Sequence, residues 1–133
     1  MKARVWIAAS LLSFLLVAFA SAQSAAVLGR LDIPFNFMVG KKEMPAGTYE
    51  IVKQEGQRST LVLRNVSKNS QTYLHVIERL AETQSTAKHK AMLVFDSVGE
   101  QKHISEFWPA DNADGYLLGT TKGEQKHVIV TQQ

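Results

Sequence analysis

Residues 31–39 alternate with a period of two. Leu31, Ile33, Phe35, Phe37 and Val39 fall on one side, and Asp32, Pro34, Asn36 and Met38 on the other. Successive side chains of a strand point to opposite faces, so this spacing commits the segment to a strand with one face in a core. Gly40-Lys41-Lys42-Glu43 reads as an exposed turn, and Met44-Pro45-Ala46-Gly47 leads back toward a second strand carrying Tyr49. The stretch 31–49 is therefore a hairpin-like unit, and it sets the fold class. Pro34 has no N–H for a ladder bond, which predicts an edge or bulged first strand over 28–39.

The rest of the chain repeats the theme. Strands are expected at 48–53, 60–66 and 72–80, with polar turns at 55–59 and 67–71 between them. Residues 81–89 lack helical apolar spacing and read as a mobile loop. Residues 91–98 hold Met92, Leu93, Val94 and Phe95 in a row, which suits a strand buried on both faces. In 102–108, Ile104, Glu106 and Trp108 alternate with His103, Ser105 and Phe107. A Pro-Ala-Asp-Asn-Ala-Asp-Gly loop follows at 109–115, then a short apolar return at Tyr116-Leu117-Leu118. Thr121 and Glu124 have the spacing of a helix capping box. The β-branched run at 127–131 favours a final strand instead. Seven or eight short, mostly antiparallel strands make an all-β domain, read as a single small β-sandwich with a partly open barrel as the alternative.

Residues 1–22 have a separate character. Lys2 and Arg4 precede a run over 5–20 that is apolar except for Ser10 and Ser13, and Ala20-Ser21-Ala22 supplies small residues. This is the three-part pattern of a secretory signal-peptide helix, with cleavage expected between Ala22 and Gln23. A retained anchor would need about 20 apolar residues, and this run is shorter. Residues 23–133 then form one domain, exported to the periplasm or beyond and not membrane-spanning. Setting aside Lys2 and Arg4 leaves thirteen basic side chains against twelve acidic ones. That balance gives no electrostatic reason to expect nucleic acid as a partner. The chain has no cysteine. A disulfide framework, thiol chemistry and a lipid-modified start are therefore not expected, and the core alone must hold the fold.

Two segments carry resemblances. Ile33-Pro34-Phe35-Asn36-Phe37-Met38-Val39-Gly40, followed by Met44-Pro45-Ala46-Gly47-Thr48-Tyr49, resembles a family of small exported proteins of soil bacteria. Their pattern is I-P-F-x-F-x-V-G, then [LM]-P-A-G-x-Y-x-[IV]. Leu93-Val94-Phe95 and Ile104-Ser105-Glu106-Phe107-Trp108 extend the likeness, with His103 and Ile104 standing where those proteins commonly carry an aromatic residue and Leu. The resemblance implies export and a β fold, and no catalytic residues. Pro45-Ala46-Gly47-Thr48-Tyr49-Glu50-Ile51 is also similar to a hairpin of prealbumin-like β-sandwich modules in surface proteins.

Chemistry-bearing residues are dispersed. His75, His89, His103 and His127 show no H-x-H or H-x-x-x-H spacing, so no metal site is expected. Ser59, Ser67, Ser97 and Ser105 lie in no G-x-S-x-G elbow. Ser105 would share a strand face with His103, but a triad draws its members from distant segments. Asp111 and Asp114 lack the ordered spacing and closing Glu of a calcium loop. Phe107, Trp108 and Tyr116 flank that loop with the two aspartates. These five residues are the candidate contact patch, against the plainer reading that the aromatics close one end of the core.

No cofactor is implied. The expected function is a non-catalytic exported module that binds or scaffolds a protein or envelope component. A small apolar-ligand carrier and a small extracellular enzyme are the alternatives. The intact mass of the protein recovered from its own host should correspond to a chain beginning at Gln23; a mass retaining residues 1–22 would contradict the signal reading.

Overall fold

The computed structural model describes residues 25–81, 89–111, 114–123 and 126–133. The expected signal segment, positions 82–88 of the expected loop, Asn112 and Glu124 lie outside the described residues. Among the described residues, regular structure is eleven strands and no helix. In chain order these are β1 (Ala25–Ile33), β2 (Phe37–Val39), β3 (Lys42–Met44), β4 (Gly47–Gln54), β5 (Thr60–Asn65) and β6 (Ser70–His75). β7 (Glu78–Leu80), β8 (Met92–Val98), β9 (Gln101–Trp108), β10 (Gly115–Leu117) and β11 (Lys126–Thr131) complete the set.

Strands β1-β4-β5-β6 form one antiparallel sheet, and β11-β8-β9-β10-β7 form the spine of a second. β2 joins the second sheet by a parallel pairing of Met38 with His103 on β9, and β3 pairs with β2. The protein is thus all-β, with two mostly antiparallel sheets that do not close into a barrel. Inward side chains of both sheets, among them Leu31, Ile51, Leu63, Leu93 and Phe107, join in one hydrophobic cluster. Each such side chain contributes about 1.5–3 kcal/mol by leaving water.

There are more strands than the alternation suggests because the chain changes sheets inside two expected strands and because residues 42–44, expected in a turn and its re-entry, form β3. The first change is at Pro34. Ile33 still pairs with Gly47 in the first sheet, and Phe37 already pairs with Met44 in the second. Pro34 ends β1 where its missing donor is harmless, and Pro45 sits at the matching place on the returning arm. One long hairpin, β1-β2 running out and β3-β4 running back, is therefore bent across both sheets. β1 is an edge strand with a bulge between Val27 and Gly29. The second change is at Val76. Its N–H bonds to Ser59, the residue before β5 of the first sheet, while the N–H of Ile77 bonds to Leu117 in the second. Residues 72–80, expected as one strand, are β6 and β7.

The bend is pinned from both arms. Asn36 Oδ1 accepts the Ala46 N–H at 2.9 Å, and the Tyr49 hydroxyl donates to the Pro45 carbonyl at 2.6 Å. A tyrosine bonded back to the backbone a few residues upstream is the device known as a tyrosine corner. Inside the bend, Phe37 meets Tyr49 and Phe95 edge to face at 5.3 and 5.4 Å, and Phe35 meets Phe95 at 5.0 Å. These are the favoured approaches of aromatic quadrupoles. Burial pushes the Tyr49 phenol above the usual tyrosine range, and a hydrogen bond from Asn65 pulls less strongly the other way.

Unfolding releases that phenol to its ordinary pKa of 10.0. Above that pH the unfolded chain sheds a proton that the folded chain keeps, so stability falls as pH rises. Tyr49→Phe removes this slope together with a hydrogen bond worth about 1 kcal/mol. In urea melts the wild type should be the more stable near neutral pH, and its advantage should shrink as pH rises through 10.0. A constant difference would contradict the buried phenol.

Candidate binding surfaces

β8 lies between β11 and β9, and its residues 93–96 are buried in series, as the continuous apolar run implied. Leu93 and Phe95 face the core. Val94 and Asp96 point to the outer face, where cross-strand neighbours cover them. The register on β9 slips here: Val94 opposes Glu106 but Phe95 opposes Ile104, leaving Ser105 as an extra residue. Ser105 spends its carbonyl on the N–H groups of Leu118 and Gly119. The bulge reverses the expected alternation. Ile104 and Phe107, three apart, both reach the core, and Trp108 is turned outward. The expectation that Ser105 and His103 share one regular strand face fails for the same reason, because a bulge breaks the period of two.

Of the five candidate residues, the structure sends two inward. Phe107 and Tyr116 are buried and stack at 6.4 Å between centroids, with the Arg79 guanidinium 4.8 Å from the Tyr116 ring. They close one end of the core. Asp114 is exposed and lies 4.0 Å from Arg79, while Asp111 is exposed with φ at 60° and its N–H bonds to the His89 carbonyl. Among the described residues no three acidic or histidine side chains gather as metal ligands. Trp108 reaches a surface concavity. Its indole lies flat against Gly115, where a Cβ would come within 2.6 Å of the ring, and its N–H donates to Glu106 at 2.9 Å. With Met92, Val94, Glu106, His127 and Ile129 it lines an open groove of about 310 Å³.

Beside this groove lies an arrangement that sequence spacing did not bring out. Asp96 is only 3% exposed, yet it faces outward between His127 on β11 and His103 on β9. His127 Nδ1 lies 2.9 Å from one carboxylate oxygen, and the Thr121 hydroxyl donates to the other at 3.1 Å. A histidine oriented by a carboxylate is part of a nucleophilic triad. Here, among the described residues, Asp96 is the sole side-chain hydrogen-bond partner of His127, and no hydroxyl donates to the ring. The pair instead ties β11, an edge strand, to the sheet. A carboxylate interrupting an apolar strand was the available signal; its partners are 25 and 31 residues away and emerge only with the register.

A second concavity, of about 470 Å³, opens on the outer face of the four-stranded sheet. Val62, Thr60, Tyr73, His75, Gln54 and Gln57 line it. Comparison of the chain with protein-family models, with curated proteins and with solved structures finds no match to any of the three.

Replacing His127 by Ala leaves the buried Asp96 carboxylate with one partner fewer. Stability should drop by about 1–3 kcal/mol, and β11 amides should exchange faster with deuterium than those of β4. Unchanged exchange in β11 would contradict the tie.

Proposed function

We propose that this chain is an exported, non-catalytic module that binds or scaffolds a component of the cell envelope or extracellular space through the outer faces of its sheets. The observation that carries this reading is the state of the interior. Phe35, Phe37, Tyr49 and Phe95 interlock edge to face, so the side chains that would line an internal ligand chamber are already spent on one another. A carrier of apolar ligands needs that space open. Among the described residues, the Trp108 groove and the Tyr73 concavity are concave surfaces on the outer faces. Ile129 and Tyr73, exposed by 60% and 66%, stand at these two places. Exposed apolar side chains beside polar rims are the usual anatomy of contact surfaces. The signal pattern of residues 1–22 supports export.

The protein purified from its own host after mild cross-linking tests this. Wild type should capture an envelope or extracellular component, and Ile129→Glu or Tyr73→Ala should reduce the yield about tenfold. Native mass spectrometry showing instead a stoichiometric small apolar molecule, held equally by both variants, would overturn the proposal in favour of a carrier.

A further inference from the structure

The Tyr73 concavity has a layout that follows from register. On β5 and β6, Val62 stands directly opposite Tyr73, and Thr60 directly opposite His75. Residues two apart on a strand share a face, so these four form a rectangle on the outer surface. Val52 on β4 opposes Val62, which places Gln54, two residues on, beside Thr60 on the same face. The β4–β5 turn then folds Gln57 over this corner, its N–H bonded to the Gln54 carbonyl at 3.2 Å. The result is a buried apolar floor at Val62, an exposed aromatic wall at Tyr73, and a rim of two amides, a hydroxyl and an imidazole.

Among the described residues, the side chains of Gln54, Gln57, Thr60, Tyr73 and His75 have no protein hydrogen-bond partner. The rim is free of carboxylate, ammonium and guanidinium groups. In the next cross-strand row Glu50 takes a two-pronged contact from Arg64 and lies 3.8 Å from Arg30. The lining itself sets no charged side chain against a ligand, and Lys53, Glu55 and Arg58 of the turn open on the neighbouring concavity. What fits is a neutral ligand rich in both donors and acceptors, with one apolar face to lie on an aromatic ring. That is the description of a pyranose.

We propose that this concavity is a saccharide subsite that takes a neutral pyranose unit of a polysaccharide. The C–H face of the sugar lies on Tyr73, and its hydroxyls bond to Gln54, Gln57, Thr60 and His75. The volume falls within the roughly 300–1,000 Å³ usual for ligand sites. Five of the six lining residues stand on strands, so the site is largely formed before the ligand arrives. A polymer fits better than a free sugar, because a second open concavity of about 610 Å³ shares Gln54 and Gln57 and continues past the turn toward Ala25 and Lys53. The inference rests on the binding-module reading and gives one of its faces a ligand class.

Titration of the isotope-labelled mature protein with cellopentaose, xylopentaose, mannopentaose and N-acetylchitopentaose, followed by amide chemical shifts, tests it. At least one pentasaccharide should shift the amides of Gln54, Thr60, Val62, Tyr73 and His75 saturably, with Kd on the order of 0.1–1 mM. Tyr73→Ala should weaken that binding about tenfold and Tyr73→Trp should retain it, since the ring face supplies the contact. Gln54→Ala should weaken it about threefold to tenfold. The proposal is overturned if none of the four sugars moves these amides, or if the shifts map to the Trp108 groove. Should the sugars fail while Tyr73-dependent capture from host material persists, the saccharide assignment falls and the binding module stands. Loss of both fells both.

Discussion

Everything in this fold depends on one constraint, the simultaneous exit of two hairpin arms from a sheet at Pro34 and Pro45. Proline cannot continue a ladder, so a proline on each arm ends the pairing of β1 with β4 at one level. The arms remain paired to each other, and the hairpin carries on as β2 and β3 in the opposite sheet. A strand that switches sheets through a bend is how two layers acquire a corner. The apolar residues of the outgoing arm, on one side in the sequence, become the concave lining of that corner. Leu31, Ile33 and Phe37 are each only 1% exposed there. Phe95 from the second sheet inserts against Phe35 and Phe37, and Tyr49 closes the cluster from the returning arm.

The filled corner decides where chemistry can occur. With the interior occupied by aromatic rings, the charged side chains among the described residues stand on the outer faces and edges. Each face handles its charges differently. On the first sheet Glu50 pairs with Arg64 and lies near Arg30 in one row, while the lining around Tyr73 in the adjoining rows carries no charged side chain. On the second, Asp96 is buried in an outward position and is held by side chains from β11 and the segment before it. A buried carboxylate is tolerated only when paired and hydrogen-bonded, so this one doubles as a clasp for an edge strand. The functional reading rests on these local arrangements.

The all-β class, the hairpin at 31–49, the buried character of 91–98 and the final strand were legible because each rests on alternation or apolar runs, which are local. The sheet changes at Pro34 and Val76 were not, since alternation continues through a bend and says nothing about which partner a strand bonds. The bulge at Ser105 was equally silent: one inserted residue inverts Phe107 and Trp108 relative to Ile104 without any change in composition. For the candidate patch, proximity in sequence grouped Phe107, Trp108 and Tyr116, but two of the three were core. Asp96 with His127, and Tyr73 with Gln54 and Thr60, became visible only once strand register set them side by side.

The central claim is that the space between the sheets is closed, so that ligands are met on the outside. Xenon enters dry apolar cavities and marks them in diffraction. Crystals of the mature protein under xenon pressure should show no ordered xenon among Phe35, Phe37, Tyr49 and Phe95. A well-occupied xenon site lined by those four rings would contradict the account and return the interior to consideration as a ligand chamber.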